Sequence, residues 1–444
     1  APTWQSPPAP IPAILDAPLP PVLRISPDRR WLLELSRPAM APLSALAEPI
    51  VRVAGMKINP QTWGPAREQA FTGLTLRPLG PHDVVEMRVV PLPEGARVGG
   101  VSWSSDSCRF SFTNTTTAGV ELWVVSVDTA QATRLVGPHL NATNGVPCAW
   151  MPNGQGLLCK LRPEGPPDIP LPPSVPVGPR IEESEGRTSA NPTYANLLQC
   201  PHDEAVFEHF LTSRLALVDL QGDLREVHDQ ALITGTASSP DGAWLLVRTV
   251  QRPYSYHVPM GRFAANYAVH SITEDHEPVV VGQLDLADAV PVTYDSVRTG
   301  RRVVGWRTDQ PATLFWVEAQ DGGDASAEAE VRDLVSILAA PFAAEPTVIY
   351  RSPLRYSRIQ WGRDDTAIAW DYWWADRRMR AFRIDPSDPH SVPELLWDRS
   401  WQDRYSDPGY PVTVPGPYGR HVLHLDGDKL LLDGPGHSPE GQNP

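Results

Sequence analysis

Residues 237–248 read ASSPDGAWLLVR, a polar Ser-Pro-Asp-Gly turn that opens directly into a short apolar strand. Asp suits such a turn because its carboxylate bonds the local backbone, and Gly suits it because it accepts a positive φ. The same cadence recurs as RISPDRRWLLEL (24–35), VSWSSDSCRFSF (101–112), CAWMPNGQGLLC (148–159), VGWRTDQPATLFW (304–316) and IQWGRDDTAIAW (359–370). A weaker copy, TVPGPYGRHVLHL, spans 413–425. Trp103, Trp150, Trp306 and Trp361 occupy one place in their copies, on the strand before the turn. Intervals such as 103 to 150 and 306 to 361 match a four-stranded propeller blade, whose repeats run about 40–50 residues. Hairpin-like pairs such as ELWVVSVDT followed by ATRLVG fill the gaps. The expected fold is all-β: a β-propeller of about seven four-stranded blades, the last one incomplete, with the tryptophans packing blade on blade.

Composition agrees. The chain has 444 residues and 50 prolines, about twice the usual proline fraction, which disfavours a mostly helical fold because proline lacks the amide donor and clashes inside helices. A net charge of −14 argues against nucleic acid as main partner, since phosphate binding needs basic surface. No apolar run approaches the roughly 18 residues of a membrane span, so no membrane partner is expected. Lys57, Lys160 and Lys429 are the only lysines among 38 basic residues, a bias expected from a GC-rich genome. Cys108, Cys148, Cys159 and Cys200 form no CxxC or Cys/His cluster, so neither metal nor cofactor is expected. Cys148 and Cys159 flank one turn symmetrically. A disulfide across that hairpin is one reading, and two free buried thiols are the preferred one.

Two intervals are too long for a blade. The first, before Trp103, contains SALAEPIVRVAGMKINPQTW (44–63) and AREQAFTGLTL (66–76), which read as a short helix plus an extension. The second holds an insertion at 163–212, rich in proline and charge, ending in a helix near 193–212. Insertions in a propeller gather on one face, often the binding face. At the other end the chain stops after two strand-like segments, as though cut before its final strands.

Candidate chemistry is sparse. Gly436-His437-Ser438-Pro439-Glu440 resembles a nucleophile elbow but lacks the second glycine. Pro439 also removes the amide that would help form the oxyanion hole. His421 and His424 lie on opposite faces of a strand. Asp321-Gly322-Gly323-Asp324 fits an Asx-stabilised turn better than a calcium loop. The glycosylation patterns at Asn114 and Asn141 are short enough to arise by chance. The exception is QRPYSYHVPMGRF (251–263), a proline-stiffened segment carrying Arg252, Tyr254 and Arg262, suited to presenting fixed side chains.

That segment, with SVRTGRRVVGWRTDQPATLFWVEAQDGGDA (296–325), YSDPGYPVTV (405–414) and LLLDGPGHSPEGQNP (430–444), resembles the glutamyl endopeptidase branch of the prolyl oligopeptidase superfamily of serine peptidases. That branch includes the plastid enzyme of plants and bacterial relatives. The opening, WQSPPAPIPAILDAPLPPVLRISPDRRWLLEL (4–35) with VAGMKINPQTWGPAREQAFTGLTL (53–76), resembles the start of the same proteins. The resemblance implies an N-terminal propeller followed by an α/β-hydrolase domain that holds the Ser-Asp-His triad. Residues 1–444 would then be the propeller, truncated before ring closure and before the hydrolase, with no catalytic residue of its own. It would gate peptide substrates entering a partner hydrolase domain. Cleavage after Glu calls for a cation, ideally a forked Arg. Arg252, with Tyr254 and Arg262, is the candidate substrate-binding group. The alternative is a free-standing propeller that binds or scaffolds without catalysis. Oligomeric state stays open. Unpaired thiols and the lack of a signal segment lead to an expected cytoplasmic location, with the periplasm as alternative.

Overall fold

A computed structural model describes residues 7–8, 10–80, 87–175, 178, 194–274 and 276–434. Strands dominate, and the chain divides into two units: 1–170 with 205–231, and 171–204 with 232–444.

The first unit is built from antiparallel meanders. One sheet joins Val22–Ile25, Trp31–Ser36, Gly73–Pro78 and Arg88–Val89. The next runs through Val98–Trp103, Arg109–Thr115, Val120–Ser126 and Ala132–Leu140. A third meander, continuous with the second through the pairing of Leu140 with Leu161 in one eleven-stranded sheet, takes Cys148–Trp150, Gly156–Leu161, Thr212–Asp219 and the first half of Leu224–Ser238. A small sheet of Val51–Val53, Met56–Asn59 and Gly64–Pro65 stands apart. Leu33, Leu74, Phe110 and Phe112 form one buried cluster, and Leu122, Trp150, Leu157 and Val218 another. Burying such side chains contributes about 1.5–3 kcal/mol each.

The second unit repeats the plan. Its first sheet pairs the second half of Leu224–Ser238 with Trp244–Val250, Ala265–Ser271 and Val279–Leu284. Then come Arg302–Trp306, Thr313–Ala319, Asp333–Ala339 and Thr347–Ser352. The last full meander is Arg355–Arg363, Thr366–Trp373, Arg378–Ile384 and Glu394–Ser400. These are propeller blades: four-stranded, antiparallel and consecutive. After Ser400 the described chain offers only three two-stranded pairs, so a seventh four-stranded sheet is absent among the described residues.

The turns explain why the motif repeats. In three copies a serine hydroxyl donates to the aspartate two residues on: Ser26 to Asp28 at 2.5 Å, Ser104 to Asp106 at 2.6 Å and Ser239 to Asp241 at 2.5 Å. Each carboxylate also accepts the amide two residues further, and each serine oxygen accepts the amide that starts the next strand. The tryptophans add a second rule. Trp150 Nε1 donates to the Ser102 carbonyl and Trp306 Nε1 to the Ala237 carbonyl, both at 3.0 Å. Ser102 and Ala237 hold the same place in the motif, four residues before its aspartate. The ring therefore packs and also fixes register against the preceding sheet.

Two features differ from the sequence reading, the bounds of the insertion helix and the state of Cys148 and Cys159. The insertion helix is Pro201–Leu211, not 193–212; Pro201 suits a first helical turn, where its missing amide has no partner to lose. Cys148 and Cys159 stand directly opposite on adjacent strands, Cα–Cα 4.2 Å, and are joined as a disulfide rather than left free. The two glycosylation patterns are structural: Asn114 is buried on Glu121, and Asn141 donates to the Phe210 and Thr212 carbonyls at the helix end, both at 2.9 Å. Most of 176–193 and all of Gly436–Glu440 lie outside the described residues. Among the described residues no helix is long and apolar enough to cross a membrane.

Candidate functional site

The strand Trp244–Val250 runs into Gln251, whose amide bonds the Ala264 carbonyl at 2.8 Å, so residues 251–264 form a loop pinned at its neck. Inside it Tyr254 is buried and stacks on Phe263, ring centroids 5.4 Å apart. The Arg252 guanidinium lies over the Tyr254 ring at 4.7 Å. Arg252 therefore rests on an aromatic platform with its side chain 55% exposed. Arg262 points elsewhere. It donates to the carbonyls of Val290 at 2.7 Å and Ala287 at 3.4 Å, and its guanidinium stands 5.9 Å from the Tyr194 ring. Arg298 braces the same loop through the carbonyls of Gly261, Phe263 and Asp285. Of the three residues singled out in the sequence, Arg252 and Tyr254 come together, and Arg262 braces a neighbouring loop.

The insertion helix supplies a partner that the sequence reading missed. Glu204 sits in its first turn, inside the second unit. Arg252 Nη1 donates to Glu204 Oε2 at 2.6 Å, and the Tyr256 hydroxyl donates to Glu204 Oε1 at 2.8 Å. Burial, and then this bond to a carboxylate, push the Tyr256 hydroxyl up to about 12, so it remains a donor at neutral pH. Arg252 and Tyr256 thus form a two-pronged carboxylate clamp, one prong charged and one neutral. Glu204 lies 48 residues from Arg252 in sequence, and no local pattern links the two.

A second polar centre lies beneath the turn at 321–324. Arg355, fully buried, reaches Asp321 at 2.7 Å, Asp333 at 3.0 Å and the Asp295 carbonyl at 2.9 Å. Arg332 holds Asp321 at 2.8 Å and Arg302 holds Asp333 at 2.5 Å. Burial alone would raise the Asp321 carboxyl, but hydrogen bonds from Arg355 and Arg332 leave it below the usual carboxylate range. Asp321 does accept the Gly323 amide as an Asx turn requires, at 3.0 Å. Its larger role is as a buried counter-ion. Among the described residues no three His, Cys, Asp or Glu side chains converge to hold a metal.

No family model matches the chain. A rice (Oryza sativa subsp. japonica) protein described as a probable glutamyl endopeptidase, chloroplastic, is 35% identical over 466 residues, covering 99% of this chain and 49% of the relative. Along nearly its whole length the chain is therefore similar to part of a glutamyl endopeptidase. An Arabidopsis thaliana protein of the same description is 34% identical over 459 residues, covering 99% of this chain and 48% of its own length. The chain thus spans about half the length of the curated relatives it matches. Because both are described as chloroplastic, the cytoplasmic and periplasmic locations expected from the sequence are unsupported and are withdrawn. Among solved structures, a prolyl endopeptidase is similar at TM-score 0.43 and 11% identity, covering 93% of this chain and 45% of that one. The propeller domain of the Trilobed protease from Pyrococcus furiosus is similar at TM-score 0.37 and 8% identity, covering 88% and 97%. At such scores the fold rests on the sheets themselves.

Proposed function

We propose that this chain is the substrate-gating propeller portion of a serine endopeptidase that cleaves peptides after glutamate. The chemistry belongs to an α/β-hydrolase domain of the full-length protein. The observation that carries this reading is identity along 99% of the chain to about half of each of two probable glutamyl endopeptidases. Residues 1–444 are then the propeller domain, and 163–212 an insertion that adds a helix to it. A propeller set before a hydrolase pocket admits extended peptides, excludes folded proteins and keeps the acyl-enzyme from side reactions. Arg252 is the group in this chain that meets the substrate carboxylate. Tyr254 is its platform, and Arg262 orders the loop beside it. The scarcity of lysine fits a bacterial source.

The test is hydrolysis of paired peptides that differ only by Glu or Gln before the scissile bond. The full-length protein is expected to cleave the Glu peptide at least tenfold faster and to react with a fluorophosphonate probe. The 444-residue chain should do neither. Equal cleavage of both peptides, or hydrolysis by the 444-residue chain alone, would overturn the reading.

A further inference from the structure

The carboxylate clamp of Arg252 and Tyr256 is already filled, and what fills it is a glutamate side chain from the chain itself. Both oxygens of Glu204 are used, one by each prong, at 2.6 and 2.8 Å. The clamp is nonetheless open to exchange. Arg252 is more than half exposed, Glu204 is one-fifth exposed, and ion pairs this close to water are held weakly. The two sides of the contact differ in how they are anchored. Arg252 is fixed by its ring platform, by the Gln251–Ala264 neck and by a loop that Arg298 ties down at Gly261 and Phe263. Glu204 stands in the first turn of a helix preceded by irregular chain from Tyr194 to Cys200.

We infer that Glu204 is an internal ligand of a glutamate-binding clamp made by Arg252 and Tyr256, and that a substrate glutamate side chain displaces it. The inference rests on the reading above that the substrate presents a glutamate, and it adds the regulation of that site. Glu204 competes at a fixed effective concentration set by its tether. A free carboxylate meets an empty clamp only in the fraction of molecules where Glu204 has let go, and its apparent affinity falls by that fraction. With Glu204 in place in roughly 80–90% of molecules, the reduction is about five- to tenfold. The contact thereby discriminates. A glutamate replaces like with like, whereas a glutamine offers no charge and leaves Glu204 in place.

The experiment is calorimetric titration of the full-length protein with the product acids acetyl-Ala-Ala-Glu and acetyl-Ala-Ala-Gln, which have no bond left to cleave after that residue, comparing wild type, Glu204→Gln and the double variant Glu204→Gln with Arg252→Ala. Glu204→Gln is near-isosteric, and an unchanged melting temperature shows that it folds. It should bind the Glu peptide about five- to tenfold tighter than wild type. The double variant should lose that gain, and the Gln peptide should not distinguish the proteins. Binding within twofold across wild type and Glu204→Gln, no measurable binding to either, or a double variant that keeps the gain would each overturn the inference. Should Glu204→Gln not fold, the Arg252 side-chain N–H resonance of wild type serves instead. The Glu peptide should shift it and the Gln peptide should not; equal shifts, or none, would overturn the inference. Binding is read without hydrolysis. An enzyme that does not cleave after glutamate would therefore refute the proposed function while leaving the clamp standing, and an unresponsive clamp would do the reverse.

Discussion

Replacing Arg355 by Met removes a buried fork while keeping its bulk. Arg355 bridges two fully buried carboxylates and also donates to the Asp295 carbonyl. Breaking a buried ion pair from one side costs about 3–5 kcal/mol, because the other charge stays buried. Here Asp321 retains Arg332 and the Gly323 amide, and Asp333 retains Arg302 and the Tyr356 amide. The lower end, about 3 kcal/mol, is therefore expected. For a unit of this size each kcal/mol moves the melting temperature by about 2–4 °C, so Arg355→Met should melt about 6–12 °C below wild type. Scanning calorimetry of wild type, Arg355→Met, Asp321→Asn and the double variant measures it. The double variant should lose less than the two singles together, because no stranded charge remains. The pH dependence has a fixed sign. The Asp321 carboxyl is lowered in the fold, so its contribution is complete above about pH 4 and disappears as pH falls through the folded value. Arg355→Met should flatten that acid limb. A melting temperature within 2 °C of wild type, or strictly additive losses, would refute the bridging role.

Other outcomes follow from the same geometry. Burial pushes the Lys160 ammonium down to about 8, against about 10.4 unfolded. The fold is thus penalised below pH 8 and relieved as pH rises toward 10, so Lys160→Met should raise the melting temperature by a few degrees at pH 7 and by little at pH 10. Non-reducing peptide mapping should find Cys148 linked to Cys159, with Cys108 and Cys200 open to alkylation; linkage of any other pair would refute the strand register there. Asn141→Ala removes two hydrogen bonds to carbonyls at the helix end and two that Asn141 accepts from Thr143, and should cost about 1–3 kcal/mol in denaturant unfolding. Ser239→Ala should cost about 1 kcal/mol by leaving Asp241 without its hydroxyl donor, and Ser104→Ala should match it.

What the sequence disclosed was local. The Ser-x-Asp turn closes on itself within five residues, so its hydrogen bonds could be read from ASSPDGAWLLVR before any coordinates. The equivalence of Trp150 and Trp306 was legible for the same reason. Their hydrogen bonds to Ser102 and Ala237 were not, because those partners lie 48 and 69 residues back. The disulfide was geometrically open at a symmetric hairpin, and the preference for free thiols had no geometric basis. Asp321 was read correctly as a turn residue but not as a counter-ion, since Arg355 arrives from another sheet. The candidate site followed the same division. Arg252 and Tyr254 are two residues apart and were found together. Glu204 belongs to an insertion, and only the fold brings it to them.

The arginine bias has a use within the fold whatever its genomic origin. Arg355 with Asp321, Arg380 with Asp371, Arg307 with Asp309 and Arg378 with Asp398 are all two-pronged pairs. Arg332 and Arg377 lie 4.1 Å over Trp373 and Trp374, and Arg301 and Arg358 lie 4.3 Å over Trp316 and Trp370. A lysine ammonium is a point charge and cannot match two carboxylate oxygens or lie flat on an indole. Arg307 does both at once, forked on Asp309 and 4.7 Å over Trp361. Arg252 shares the aromatic half of this device, 4.7 Å over Tyr254, but gives its carboxylate a single bond and leaves the second oxygen to Tyr256. Of the two-pronged pairs, Arg355 with Asp321 joins two sheets, whereas Arg380 with Asp371 ties neighbouring strands of one sheet.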